Sequence, residues 1–252
     1  MLIAGWKTIS LVDVHGKVTF TLWLCGCNLR CPFCHNWKIA DRLDCQRLDK
    51  EKLLEDLEAS KFLIDYFHVT GGEPLLQWRS LRGLLMEVKG TTDISLNTNC
   101  TLKKPLERLI SDEFIDHIAT DLKAPPQELY GLPLHASKRL WNLFLESLEM
   151  ISNYGIPLEL RIPVPRNITG VERYIEQAIK RLRYDDFYVV VNPLLGFPLT
   201  SPRSVEWSRK HCNPSKEEIG RISEFVKSFG VMVFVKSYHE HGYCQDNCGI
   251  TS

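Results

Sequence analysis

The chain has 252 residues, 44% hydrophobic and 25% charged, and its 31 basic and 31 acidic side chains leave a formal net charge of zero. That length and apolar content suffice for one large α/β domain or two small ones and exclude a globally disordered chain. Zero net charge argues against non-specific binding to a nucleic-acid backbone, which needs a clustered excess of Lys and Arg.

In chain order, the opening segment MLIAGWKTISLVDVHGK has no apolar core long enough for a signal peptide, and Asp13 arrives early. No window approaches 18 uninterrupted apolar residues, so no membrane span is expected and the cytoplasm is the expected location. Nine cysteines in such a chain point to metal or redox chemistry rather than to structural disulfides. The first predicted strand is VTFTLWL (18–24), and a cysteine-rich loop follows it. An amphipathic segment at 49–62 leads to a strand at 65–69, and further strands follow at 93–97 and 115–120. A second amphipathic helix at 137–152 precedes a strand at 157–163. Helices at 170–183 and 215–229 bracket a strand at 186–192, and each opens on Gly or Ser in a cap-like position. The last strand is VMVFVK (231–236).

Strand–helix alternation of this kind implies right-handed βαβ crossovers and a parallel sheet, with runs such as FYVVV buried on both faces. The pattern by itself does not separate an open sheet from a complete or partial barrel. Residues 1–236 read as one such domain and 237–252 as a Cys- and His-containing tail. The Pro-rich joints KAPPQELYGLP and NPLLGFPLTSPRS read as long loops after strands. That is the rim where parallel α/β folds place their active sites, and the cysteine loop lies on it too.

The stretch LCGCNLRCPFCHNWK holds Cys25, Cys27, Cys31 and Cys34. Cys27, Cys31 and Cys34, at Cx3Cx2C spacing, can wrap one small inorganic object, and Gly26 and Pro32 suit an irregular loop. Zinc usually takes four ligands in two separated pairs, and a redox dithiol needs only one Cys-x-x-Cys. Three thiolates match a [4Fe–4S] cluster with one iron left open, and on spacing alone zinc and redox thiols stay open as alternatives. Cys25 still belongs to the incoming strand and reads as a buried spectator thiol.

With TGGEP (70–74) after the second strand and Phe33 just before the last cysteine, the sequence resembles the radical S-adenosylmethionine (SAM) superfamily. The resemblance implies an α/β partial (β/α)6 TIM-like barrel with a short C-terminal extension. It implies that Cys27, Cys31 and Cys34 hold a [4Fe–4S] cluster whose open iron chelates SAM. It also implies that Gly71, Gly72 and Glu73 contact the methionine amino group and that Phe33 lies near the adenine. One electron delivered to the cluster would cleave SAM to methionine and a 5′-deoxyadenosyl radical, with the protein positioning the cofactor and excluding water.

The stretches ISLVDVHGKVTFTLWLCGCNLRCPFCHN, VTGGEPLLQ, LNTNCTLKKPL and IDHIATDLKAP narrow the resemblance to glycyl-radical enzyme activases, especially that of anaerobic ribonucleoside-triphosphate reductase. By that resemblance Asn97, Thr98 and Asn99 line the SAM pocket. Asp121 and Lys123 contact the methionine or sit near the target glycine, as the catalytic candidates, and Arg161 contacts the SAM ribose or carboxylate. Asn97 replaces an acidic residue of that family and Cys100 replaces a glycine, which puts a monovalent-cation site in doubt. The expected partners are a glycyl-radical enzyme and a flavodoxin or ferredoxin-type electron donor; membrane and nucleic acid are not expected.

Competing readings are a small-molecule radical SAM enzyme such as 7-carboxy-7-deazaguanine synthase, a radical SAM tRNA-modifying enzyme, and a zinc-stabilised barrel that binds a partner. In the tail, Cys244 and Cys248, with His239 and His241 nearby and Cys212 able to join, form a candidate second metal site.

Overall fold

A computed structural model describes residues 1–183, 185, 187–239 and 242–246, with the backbone alone for 237–239 and 242–246. In chain order the elements are β1 (Leu2–Ser10), β2 (Thr19–Leu24), α1 (Trp37–Ala40), β3 (Gln46–Arg47), α2 (Lys50–Ser60) and β4 (Tyr66–Gly71). Next come α3 (Trp78–Val88), β5 (Asp93–Asn97), α4 (Lys103–Ser111), β6 (His117–Asp121), α5 (Pro126–Leu129) and α6 (Leu134–Tyr154). The chain continues through β7 (Leu158–Val164), α7 (Glu172–Ile179), β8 (Phe187–Pro193), α8 (Val205–His211), α9 (Lys216–Lys227), β9 (Val233–His239) and β10 (Gly242–Asp246).

The chain divides into two compact units. The first comprises Met1–Asn28, Asn36–Thr120 and Asn142–Leu158; the second comprises Leu29–His35, Asp121–Trp141 and Glu159–Ser252. In the first unit the strands lie in the order β3-β1-β2-β4-β5-β6. Strands β2, β4, β5 and β6 run parallel, whereas β1 is antiparallel to both β2 and β3. Phe20, Leu22, Phe67, Val69, Ile94, Leu96 and Ile118 are fully buried along these strands. Helix α3 buries Leu81, Leu84, Leu85 and Val88, the i, i+3, i+4, i+7 stripe of an amphipathic helix. Each such side chain contributes roughly 1.5–3 kcal/mol by leaving water. Asp49 caps α2 by accepting the Lys52 amide, so that helix starts where its first unsatisfied N–H groups find an oxygen.

In the second unit the order is β7-β8-β9-β10, with β8 and β9 parallel and β9 and β10 antiparallel. Val189, Val190 and Val191 are all fully buried, as a strand covered on both faces requires. Helix α9 opens with a capping box in which the Ser215 hydroxyl and the Glu218 carboxylate satisfy each other's backbone amides.

Two expectations need correction. The N-terminal segment is a strand, β1, whose register shifts between Ile3 and Gly5 and again between Lys7 and Ser10, which erases the two-residue alternation that would have announced it. And Cys25, buried as expected, is no spectator thiol: it forms a disulfide with Cys45, with 6.3 Å between the Cα atoms. The topology explains the meeting. Ile3 of β1 faces Leu24 on one side and Gln46 on the other, so the next residue after Leu24 and the one before Gln46 emerge beside the same strand.

Candidate functional site

In the first unit the sequence-predicted residues gather at the C-terminal ends of β2, β4 and β5. Gly71 and Gly72 are required there by contact. A Cβ on Gly71 would lie 2.3 Å from the Leu24 carbonyl oxygen, and one on Gly72 would lie 2.1 Å from the Gly26 oxygen. Gly71 also has φ +118, a conformation L side chains rarely adopt. The close approach lets the Gly72 amide donate to the Leu24 oxygen (2.8 Å) and the Glu73 amide to the Gly26 oxygen (2.7 Å). The glycine pair thus seats the end of β4 against the backbone immediately before Cys27.

Glu73 is fully buried, and its carboxylate is met by protein donors. One oxygen accepts from the Leu75 amide (3.0 Å) and the Thr98 hydroxyl (2.8 Å), and the other accepts from the Asn99 amide (2.7 Å). Glu73 therefore fixes the turn leaving β5, in which Thr98 also accepts from the Cys100 amide. Cys100 sits at φ 57, the left-handed region that favours glycine, so this backbone position keeps a glycine-like conformation although a cysteine occupies it. Asn97 donates to the Thr70 hydroxyl at 2.9 Å.

Asn99 belongs to a closed ring of three side chains. Its amide nitrogen donates to Asn28 (2.9 Å), Asn28 donates to the Thr101 hydroxyl (2.8 Å), and Thr101 donates back to the Asn99 oxygen (2.6 Å). The same Asn99 nitrogen lies 4.0 Å from the Cys27 sulfur. The ring turns an N–H toward that thiol, an arrangement that stabilises a thiolate ligand. Asn28 and Thr101 were not singled out by sequence; adjacency of Asn28 to Cys27 was the only available signal.

In the second unit, the Leu29–His35 segment carries Cys31, which is buried, and Cys34, which is half-buried. Phe33 packs against Trp207 with ring centroids 6.0 Å apart. At the end of β6, Asp121 accepts from the Lys123 ammonium at 2.9 Å. Burial alone would raise the Asp121 pKa, but Lys123 and Arg161 outweigh it and hold the carboxyl below its usual value. Arg161 donates through Nε to the fully buried Glu159, whose other oxygen accepts from the Tyr188 hydroxyl (2.7 Å). Burial works against the Arg161 charge, and Glu159 and Asp121 more than offset it, so the guanidinium is held firmly cationic. The Glu-x-Arg spacing puts both groups on one face of β7.

None of Cys27, Cys31 and Cys34 is used in a disulfide, and three thiols on Cx3Cx2C spacing are the donor set a [4Fe–4S] cluster takes. Among the described residues no group of three or more His, Cys, Asp or Glu side chains is close enough to hold a metal ion, so the ligand assignment rests on spacing and family. Cys212 is buried with Leu129 and Leu194, and burial raises its pKa. The candidate second site at Cys244 and Cys248 lies outside the residues whose side chains are described. Among the described residues no helix is long and apolar enough to cross a membrane.

Residues 22–183 match the family described as the radical SAM superfamily. The chain belongs to that superfamily. Membership implies a [4Fe–4S] cluster and SAM as cofactors of this radical SAM enzyme. A protein of Methanocaldococcus jannaschii, provisionally named a glycyl-radical enzyme activating enzyme, is 27% identical over 194 residues, covering 75% of this chain and 78% of its own. A 7-carboxy-7-deazaguanine synthase of Hyperthermus butylicus is 33% identical over 172 residues, covering 58% of this chain and 70% of its own. Among solved structures, a radical SAM methyltransferase from Sphaerobacter thermophilus superposes with a TM-score of 0.59 at 16% identity, over 86% of this chain and 66% of that one. Streptococcus suis SuiB bound to SAM gives a TM-score of 0.59 at 15% identity, over 87% of this chain and 52% of that one. The chain thus spans about two thirds and about half of those structures, and the likeness is one of fold. The mostly parallel α/β architecture is that of the radical SAM partial barrel.

Proposed function

We propose that this radical SAM enzyme is a glycyl-radical enzyme activase, whose substrate is a glycine in a loop of a partner enzyme such as anaerobic ribonucleoside-triphosphate reductase. The observation that carries this reading is the relationship to the M. jannaschii protein over three quarters of the chain. When bound, the [4Fe–4S] cluster would supply the one-electron chemistry of reductive SAM cleavage, the means by which a hydrogen atom would be taken from the glycine α-carbon. In this reading Cys27, Cys31 and Cys34 would hold the cluster. Gly71, Gly72 and Glu73 are the proposed contacts of the methionine amino group, and they also hold the backbone around Cys27 and the β5 turn in place. Asn97, Thr98 and Asn99 line the SAM side of that turn, Phe33 offers an aromatic surface to the adenine, and Arg161 presents a fixed positive charge to the ribose or carboxylate. Asp121 and Lys123, already ion-paired, stand at the rim as the groups that orient the methionine or the target glycine. A flavodoxin or ferredoxin-type protein is the proposed electron donor, and the cytoplasm the proposed location.

Identity to the 7-carboxy-7-deazaguanine synthase supports a second reading, a small-molecule radical SAM enzyme acting on a pterin. One experiment separates the two. Reconstituted protein, reductant and SAM are mixed with the glycyl-radical reductase of the same host and examined by electron paramagnetic resonance for the glycyl doublet. The activase reading expects the doublet; silence with the reductase together with turnover of a pterin in the presence of magnesium would transfer the assignment to the second.

A further inference from the structure

The cysteine loop in the second unit is clamped by the two Pro-rich loops that the sequence placed on the same rim, through contacts that the sequence did not show. The Ser204 amide donates to the Pro32 oxygen at 2.9 Å and the Arg203 amide to the Cys34 oxygen at 3.0 Å. The residue between those two tethered carbonyls is Phe33. Inside the loop the Cys34 amide donates to the Cys31 oxygen, and at the loop's start the Arg30 amide donates to the Tyr130 oxygen at 2.9 Å. Gly131 is pressed so closely on Arg30 that a Cβ there would lie 2.0 Å from its carbonyl oxygen.

The clamp is continuous with α8. Ser204 is its N-cap and accepts the Trp207 amide at 3.2 Å, so the residue that tethers Pro32 also fixes the turn that presents Trp207. The Trp207 ring meets Phe33 at 6.0 Å and is backed one turn later by His211 at 4.9 Å. The helix in turn is seated by Gly196, where a Cβ would lie 2.1 Å from the Ser208 hydroxyl and 2.7 Å from the Cys212 Cβ. Leu129, Leu194 and Cys212 form a buried apolar cluster on which Phe33, Ile168 and Trp207 pack. Phe33 remains only partly buried, so an aromatic surface held by a rigid wall is left available.

We infer that Trp207 is a positioning residue for the adenine end of SAM, acting through Phe33. This rests on the radical SAM reading of Phe33 given above. Backbone tethers on both neighbours stop the ring from swinging, and the Trp207 face stops it from rotating away. A planar ligand then meets a ring that has already lost its freedom and binds more tightly than it would to a mobile one.

The test uses SAM binding to the reconstituted full-length protein, which needs no partner enzyme. Trp207→Leu should weaken SAM binding about ten-fold, and Trp207→Phe, which keeps an aromatic wall, should restore it to within about two-fold. Because Trp207 works through Phe33, Trp207→Leu made on top of Phe33→Leu should add almost nothing, whereas independent contributions would multiply. A second readout needs no cofactor. In metal-free protein, alkylation of Cys31 by iodoacetamide, located by peptide mass spectrometry with Cys100 as internal reference, should rise about ten-fold in Trp207→Leu and not in Trp207→Phe. Wild-type binding of SAM that Trp207→Leu leaves unchanged, or multiplicative losses in the double variant, overturns this inference alone. A wild-type protein that loads a cluster but binds no SAM overturns the functional reading and this inference with it.

Discussion

Replacing Glu73 by Gln keeps the side chain's shape and changes only what its head group can accept. In a fully buried setting the carboxylate accepts from the Leu75 amide and Thr98 hydroxyl on one oxygen and from the Asn99 amide on the other. A carboxamide has one oxygen for two opposed sets of donors. Turned one way, its NH2 faces the Asn99 N–H; turned the other, it faces the Leu75 N–H. Either way one buried backbone donor loses its partner and a charge-assisted bond is lost, which together cost about 2–3 kcal/mol. For a chain of this size each kcal/mol shifts Tm by roughly 2–4 °C, so Glu73→Gln should melt about 4–12 °C below wild type. The assay is thermal unfolding of metal-free protein followed by circular dichroism, with SAM affinity of the reconstituted protein measured beside it. A Tm within about 1 °C of wild type, accompanied by a large loss of SAM affinity, would refute the reasoning, because the carboxylate would then be spent on ligand and not on the β5 turn.

Three further outcomes are expected. Gly72→Ala should prevent β4 from docking on Gly26, since the added Cβ meets backbone, and should lower stability by about 1–3 kcal/mol in urea unfolding; an unchanged midpoint would show that the strand end shifts freely. Non-reducing peptide mapping should recover Cys25 joined to Cys45 while Cys27, Cys31 and Cys34 label as thiols in metal-free protein; recovery of Cys25 paired with Cys27 would contradict the strand register. Asp121 titrates below its ordinary value, so its contribution to stability is present above about pH 4 and is lost as pH falls through the depressed folded pKa. Wild type should therefore lose stability more steeply than Asp121→Asn between about pH 5 and pH 2, and parallel acid limbs would remove the ion pairing from the account.

The strands in parallel pairs were legible because runs such as FYVVV are largely buried and leave a period-free apolar signal. Strand β1 was not, because its bulges at Gly5 and after Lys7 break the alternation, and β3 is two residues long. Helix α4 was passed over although Leu106, Leu109 and Ile110 have helical spacing; Pro105 lies in its first turn, where proline is tolerated, but reads in sequence as a breaker. At the site, the three cysteines and the Gly-Gly-Glu run were legible as a motif. The reason for the glycines was not: it is a carbonyl oxygen of Leu24 or Gly26 so near that a Cβ would overlap it, a fact of tertiary contact. The Asn28–Thr101–Asn99 ring and the Arg203–Trp207 clamp join residues distant in sequence through single hydrogen bonds, which no local periodicity records. The Cys25–Cys45 disulfide escaped for the same reason, compounded by the expectation that such a chain keeps its thiols reduced.

Anaerobic reconstitution with iron and sulfide, reduction with dithionite and assay of 5′-deoxyadenosine from SAM test the central claim most directly. Wild type should bind four irons and form 5′-deoxyadenosine, and Cys27→Ala, Cys31→Ala and Cys34→Ala should each lose both, while Cys25→Ala still assembles the cluster. A wild-type protein that cleaves no SAM under any reductant, or a Cys25→Ala protein that cannot hold iron, would contradict the account.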